Sequence, residues 1–143
     1  DESFGTIFLI TTLCFVDSPM DVLKQVYRIL VTGGKIVLGL VSKESPWGRF
    51  YERKREQGHH FYKYATFYGY HDVIRLLQQA KFSTEMTIST LFQKPGKVDH
   101  VETPSIGYFP NAGFTIITAG KHMGTTSGNS AEDNSDEEQI VQA

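Results

Sequence analysis

Tyr27-Arg28-Ile29-Leu30-Val31-Thr32-Gly33-Gly34-Lys35, running on into Ile36-Val37-Leu38-Gly39-Leu40-Val41, is the stretch on which the fold class turns. Two glycines join the end of an amphipathic segment to a continuous apolar run. The run hardly alternates and is rich in branched side chains, the pattern of a strand covered on both faces. Upstream, Ser18-Pro19 predicts a helix over 19–30. Ser18 is a good N-cap, Pro19 suits the first helical position, and Asp21 sits near the positive end of the dipole. Val22, Val26, Ile29 and Leu30 supply the stripe to be buried, and Gly33 is expected to take the left-handed conformation that ends the helix. Further back, residues 4–10 form a second apolar run, Phe4-Gly5-Thr6-Ile7-Phe8-Leu9-Ile10. Strand, crossover helix and strand in this order predict a parallel pair.

The same cap logic applies downstream. Ser45-Pro46 opens a second helix with Trp47, Phe50 and Tyr51 on one face, Arg53, Lys54 and Arg55 towards water, and Gly58 as its stop. Residues 59–70 are aromatic and irregular. A third helix over 70–80 buries Val73, Ile74, Leu77 and Ala80. Residues 84–93 and 113–120 are rich in Thr, Ile and Phe and read as strands. Pro95-Gly96, Pro104, Gly107 and Pro110-Asn111 make their connector a long loop, so the pair is expected to be an antiparallel hairpin. Residues 1–122 are expected to form one incomplete domain. From 123 to 143 the chain turns to Gly, Ser, Asn, Asp and Glu, and is expected to be a disordered acidic tail, because it has too little apolar area to offset its ordering entropy.

Composition narrows the function. The 143 residues carry a formal net charge of −2 and are 40% hydrophobic. No cluster of Lys and Arg offers a phosphate-tracking surface, so nucleic acid is excluded as a partner. No apolar run reaches the roughly 20 residues that span a bilayer, so no membrane segment is expected. One cysteine, Cys14, rules out an internal disulfide framework and fits a reducing, cytoplasmic setting. The five histidines have no carboxylate or Cys at ligand spacing, so no metal is expected.

Four stretches together resemble the second half of a class I S-adenosylmethionine (SAM) methyltransferase of the type 11 family. Asp1 to Asp17 is similar to the family's fourth strand and the loop after it. Tyr27 to Lys35 is similar to the turn before the fifth strand. Ser45-Pro46-Trp47-Gly48-Arg49, Phe61-Tyr62 and Ala65-Thr66-Phe67-Tyr68 match the segment after that strand. Leu76-Leu77-Gln78-Gln79-Ala80-Lys81-Phe82 matches the helix end before the sixth. Gly5 stands where the family usually has Asp, Val31-Thr32 replaces a basic residue and proline, and Lys81 stands where Gly commonly closes the helix. The family's first strand, glycine-rich cofactor loop and ribose-binding acid have no counterpart in these residues. The resemblance implies an α/β fold, the C-terminal half of a Rossmann-like methyltransferase sheet, with two parallel strands joined by a crossover helix and a C-terminal antiparallel hairpin.

The resemblance also implies the site. Ligands of doubly wound sheets sit beyond the carboxyl ends of the strands. The loop Thr11, Thr12, Leu13, Cys14 and Phe15 is therefore assigned to the methionine and sulfonium region of the cofactor, SAM. Trp47, Arg49, Tyr51, Phe61, Tyr62, Phe67 and Tyr68 are candidates for an aromatic-walled acceptor pocket, with Thr66 beside them and His60 as the best candidate general base. No catalytic residue can be assigned, since methyl transfer to a good nucleophile rests mainly on alignment and desolvation. The expected function is a fragment of a SAM-dependent methyltransferase acting on a small-molecule acceptor. The alternatives are a non-catalytic α/β binding module and a pseudoenzyme. In the family the strand at 6–10 has a partner on each side. Here it is expected to be an open hydrophobic edge prone to self-association.

Overall fold

A computed structural model describes residues 2–123, and the expected acidic tail lies outside the described residues, apart from its first residue, Met123. Five strands and three helices follow one another as β1 (Phe4–Ile10), α1 (Pro19–Ile29), β2 (Leu30–Leu40), α2 (Pro46–Glu56), α3 (Tyr70–Gln79), β3 (Ser83–Thr90), β4 (Ser105–Ile106) and β5 (Phe114–Gly120). The sheet order is β1-β2-β5-β3-β4. β1 and β2 are parallel, with Ile7 opposite Ile36 and Leu9 opposite Leu38. β5 lies between β2 and β3, antiparallel to both. This is the expected α/β architecture. The loop between β3 and β5 is more ordered than its Pro and Gly content suggested, because Ser105 and Ile106 pair with Ser89 and Ile88.

Helices start where the caps predict. Ser18 Oγ accepts from the Asp21 N–H at 3.3 Å, and Ser45 Oγ accepts from the Gly48 N–H at 2.9 Å. The end of α1 differs from expectation. Leu30 leaves the helix directly into extended backbone, while Gly33, at φ 83°, lies inside β2. There the register with β1 slips, Phe4 facing Leu30 and Thr6 facing Lys35. The stripe on α1 also rotates: Leu23, Val26 and Leu30 are buried, with Val22 and Ile29 only partly so. The carbonyls at the end of α1 are satisfied instead by the buried Lys121, whose Nζ donates to Tyr27 O and Leu30 O at 2.8 Å and to Glu2 Oε1 at 2.9 Å.

One face of the sheet holds the core. Ile36, Leu38, Ile117 and Ala119 pack there against Leu23 and Val26 of α1 and Val73 and Leu77 of α3. The other face carries Phe8, Ile10, Met86 and Ile106, all exposed, Phe8 at 66%. Among the described residues β1 pairs with β2 alone. The consequence for the site is that α1 and α3 lie below one face while the carboxyl ends of β1 and β2 point into the loops 11–18 and 41–45.

Candidate functional site

At the carboxyl ends of β1 and β2 the chain encloses a cavity of about 180 Å³. Its floor is the end of β2, Leu38 to Val41, with Val73 of α3. One wall is the loop after β1, Thr11, Leu13, Cys14 and Phe15. The other wall comes from α2 and the segment after it, Tyr51, Phe61, Tyr62, Phe67 and Tyr68. Among the described residues no charged side chain lines it.

The loop after β1 is held by local chemistry. Thr11 N–H continues the ladder to Gly39 O at 2.8 Å, and Thr11 then turns to φ 52°. A positive φ is strained for a β-branched residue, at a cost of about 1–3 kcal/mol. The turn carries Leu13–Phe15 as one 3-10 turn across the mouth of the cavity. Cys14 Sγ donates to Thr11 O at 3.2 Å, and burial pushes its thiol up. Thr12 Oγ1 turns back to Ile10 O at 3.2 Å and does not line the cavity.

The opposite wall is an aromatic lattice. Tyr51 and Tyr62 rings are 4.7 Å apart, Tyr51 and Phe67 stack at 6.2 Å, and Phe61 meets Tyr62 edge-on at 5.2 Å. Phe61 reaches across to Phe15, edge-on at 5.1 Å. The two walls are also tied by backbone: Thr66 N–H donates to Cys14 O at 2.7 Å. Burial, with the neighbouring Tyr62, raises the Tyr51 phenol; burial, with the nearby Cys14, raises that of Tyr68. Both stay neutral at neutral pH.

Of the residues singled out by sequence, Thr11, Leu13, Cys14 and Phe15 come together with Tyr51, Tyr62 and Tyr68 around this cavity. Trp47, Arg49, His60 and Thr66 do not line it. Trp47 stands behind the wall, its ring 6.0 Å from that of Tyr51, its Nε1 donating to Gln93 O at 2.7 Å while the ring covers Gly113. Arg49 and His60 are exposed, and Thr66 contributes its backbone. The basic run on α2 is only partly solvated: Arg55 donates to Ala65 O at 3.2 Å, bracing the aromatic segment, and Lys54 covers the Phe50 ring. Among the described residues no group of three His, Cys, Asp or Glu could hold a metal ion.

Sequence reasoning passed over Glu44 and Tyr108. Glu44 accepts the Tyr70 N–H at the start of α3, at 3.1 Å, and the Tyr108 hydroxyl. Tyr108 stacks on Tyr70 with centroids 4.1 Å apart. Burial first and Glu44 second push the Tyr108 phenol well up. This cluster fixes the start of α3, and Lys43 N–H fixes Tyr68 through its carbonyl at 3.0 Å. Its one local signal was a carboxylate just before the Ser45 cap.

The methyltransferase-domain family matches residues 1–38. An uncharacterized protein of Methanocaldococcus jannaschii is 35% identical over 85% of this chain, and one of Mycobacterium bovis is 32% identical over 81%. A solved SAM-dependent methyltransferase of Thermotoga maritima, described as a possible histamine N-methyltransferase, superposes with a TM-score of 0.78 at 39% identity over 85% of this chain. The chain spans 58% of the archaeal protein, 41% of the mycobacterial one and 57% of the Thermotoga chain. The chain has the fold of class I SAM-dependent methyltransferases and is similar to them over most of its length, with residues 1–38 matching the methyltransferase-domain family.

Proposed function

We propose that this chain supplies the sulfonium end and the acceptor side of the site of a SAM-dependent methyltransferase acting on a small molecule. The observation that carries the reading is the cavity between the loop after β1 and the aromatic segment, whose lining among the described residues is uncharged. Its size suits a small group and not a whole nucleoside cofactor, since pockets for drug-sized ligands run to several hundred Å³. Thr11, Leu13, Cys14 and Phe15 would hold the methionine and sulfonium end, and Tyr51, Tyr62 and Tyr68 the acceptor. When bound, SAM supplies an electrophilic methyl group. The chain's part is to align the acceptor with it and to exclude water, which an apolar, ring-lined wall does without a dedicated base. His60, exposed and outside the cavity, is not needed for that role. A reducing cytoplasmic setting fits the free Cys14 at the site.

Cys14 provides the test, being the chain's one cysteine. SAM or its neutral product S-adenosylhomocysteine should slow alkylation of Cys14 in the intact chain, with half-protection well above the micromolar range because the lining residues hold only one end of the cofactor. No protection at saturating nucleoside would refute the placement. A micromolar midpoint would show that the chain holds the whole cofactor.

A second reading, a binding module, draws on the exposed Phe8, Ile10, Met86 and Ile106 and on the single pairing of β1. Exposed apolar side chains on both edges of one sheet face suit an interaction surface.

A further inference from the structure

α1 and α2 start on serines, whereas α3 starts on Gly69, which has no side chain to cap with. Gly69 N–H is taken by Asp72 Oδ2 at 3.1 Å, and the next N–H, of Tyr70, by Glu44 Oε1 at 3.1 Å, from a loop 26 residues earlier. A β-carbon at residue 69 would stand 3.0 Å from Glu44 Oε2, so the missing side chain is what lets the carboxylate reach the helix start. Glu44 thus supplies from a distance the acceptor that Ser, Thr, Asn or Asp usually brings to this place. The residue before Gly69 is Tyr68, which lines the cavity. Its carbonyl accepts from the N–H of Lys43, the neighbour of Glu44, at 3.0 Å. Residues 43 and 44 therefore hold the chain on both sides of Gly69. The hold is itself anchored. The Tyr108 hydroxyl donates to the same Glu44 Oε1, its ring lies flat on that of Tyr70 with centroids 4.1 Å apart, and the Tyr70 hydroxyl meets Thr87 Oγ1 at 2.9 Å. Gly107, next to Tyr108, donates its N–H to Thr87 O at 2.8 Å. One carboxylate oxygen is thus the joint between the start of α3, the segment after β4 and the wall of the cavity. Glu44 does not line the cavity itself. Resting on the methyl-transfer reading above, we infer that Glu44 is a positioning residue for the acceptor side, holding residues 68–70 so that Tyr68 stays in the wall.

The test uses the full chain without added nucleoside. Two readouts follow the wall. One is the set of Tyr68 ring proton signals, assigned by their loss in Tyr68→Phe. The other is the alkylation rate of Cys14, the chain's one cysteine, which lines the same cavity. Glu44→Ala should shift the Tyr68 signals and leave those of Tyr27 on α1 in place. It should speed alkylation about ten-fold, the factor that corresponds to ~1.4 kcal/mol and lies within the range of a lost cap. Because both bonds fall on Oε1, one amide oxygen can accept both, and Glu44→Gln should behave as the wild type. Should the alanine variant not fold, Glu44→Asp, one methylene too short, takes its place with the same expectation. Val22→Ala, partly buried on α1 and outside the cavity, controls for stability. Brought with urea to the stability of the alanine variant, it should leave Tyr68 and Cys14 as they are. Unmoved Tyr68 signals and an unchanged Cys14 rate in Glu44→Ala overturn the inference. So does a glutamine variant that loses the wall as alanine does, or an equal response from Val22→Ala. Failure of S-adenosylhomocysteine to protect Cys14 in the wild-type chain would remove the methyl-transfer reading and leave this hold on Tyr68 standing.

Discussion

Lys81→Gly should stabilise this protein. Lys81 sits at φ 72° immediately after α3. Its own N–H bonds Gln78 O at 3.0 Å, and the next N–H, of Phe82, bonds Leu77 O at 2.9 Å. Those two bonds are the pair that closes a helix in a Schellman motif, and the hydrophobic contact that accompanies it is present too, since Leu77 and Phe82 are both core residues. The motif is therefore complete except for its usual glycine. An L-residue in the left-handed region costs about 1–2 kcal/mol, and glycine returns about 0.5–1 kcal/mol of that through its greater loss of backbone freedom on folding. The side chain is exposed, and among the described residues no polar partner offsets its removal. The net expectation is a gain of about 1 kcal/mol, or roughly 3–5 °C in Tm for a domain of this size. Denaturant unfolding followed by circular dichroism should show a higher midpoint at unchanged m-value. Lys81→Ala keeps the strain and should not stabilise. A neutral or destabilising Lys81→Gly, or an alanine variant that gains as much, would refute the backbone argument.

Gly48→Ala should destabilise by about 3 kcal/mol, the upper range of overpacking, because a β-carbon there would stand 2.1 Å from the backbone oxygen of Ser42; a midpoint loss below about 1 kcal/mol in chemical denaturation would count against it. Stability should fall at alkaline pH. The folded-state values of Tyr51, Tyr68 and Tyr108 lie above their ordinary 10.0 and that of Cys14 above its ordinary 9.0, so their contribution is complete below those values and is lost as pH rises through the folded ones. Tyr108→Phe should flatten the upper part of that decline, and a denaturation midpoint constant from about pH 8 to 11 would contradict it. If the chain self-associates through its exposed edge as expected, Phe8→Lys should reduce that association, since residue 8 is 66% exposed on a strand that among the described residues pairs on one side only; sedimentation showing a monomeric wild-type chain would remove the premise.

Local patterns carried most of the fold. Ser18-Pro19 and Ser45-Pro46 placed two helix starts to the residue, because capping is chemistry within one turn. The parallel pair and the later antiparallel strands were equally legible. What local pattern misjudged is the end of α1. Gly33 was read as its cap, since a glycine pair after a helix usually is one. The cap comes instead from Lys121, more than 90 residues away, whose ammonium takes the carbonyls of Tyr27 and Leu30. That frees Gly33 for the register slip in β2. Trp47 was misleading for a related reason. Its helical spacing with Phe50 and Tyr51 is real, but the indole follows its hydrogen bond to Gln93 and the bare surface of Gly113, and neither partner is nearby in sequence.

The candidate site shows why its two walls cannot be treated as independent. Sequence gave them separate jobs, Thr11 to Phe15 for the donor and residues 45–70 for the acceptor. In the fold, Thr66 N–H bonds Cys14 O and Phe61 packs edge-on against Phe15, so each wall is a support of the other. Arg55 in turn holds Ala65 O, which fixes the residue before that backbone bond. Groups sharing partners in this way couple by about 0.5–3 kcal/mol, whereas distant sites add to within a few tenths. Loss of the Phe61 ring therefore loosens the loop that presents Cys14, and loss of the Phe15 ring loosens the segment that presents Tyr62. If the walls hold donor and acceptor as proposed, a substitution on either side is expected to move both affinities together, and only the paired variant, measured against the two single ones, separates a contact with ligand from the support of the opposite wall.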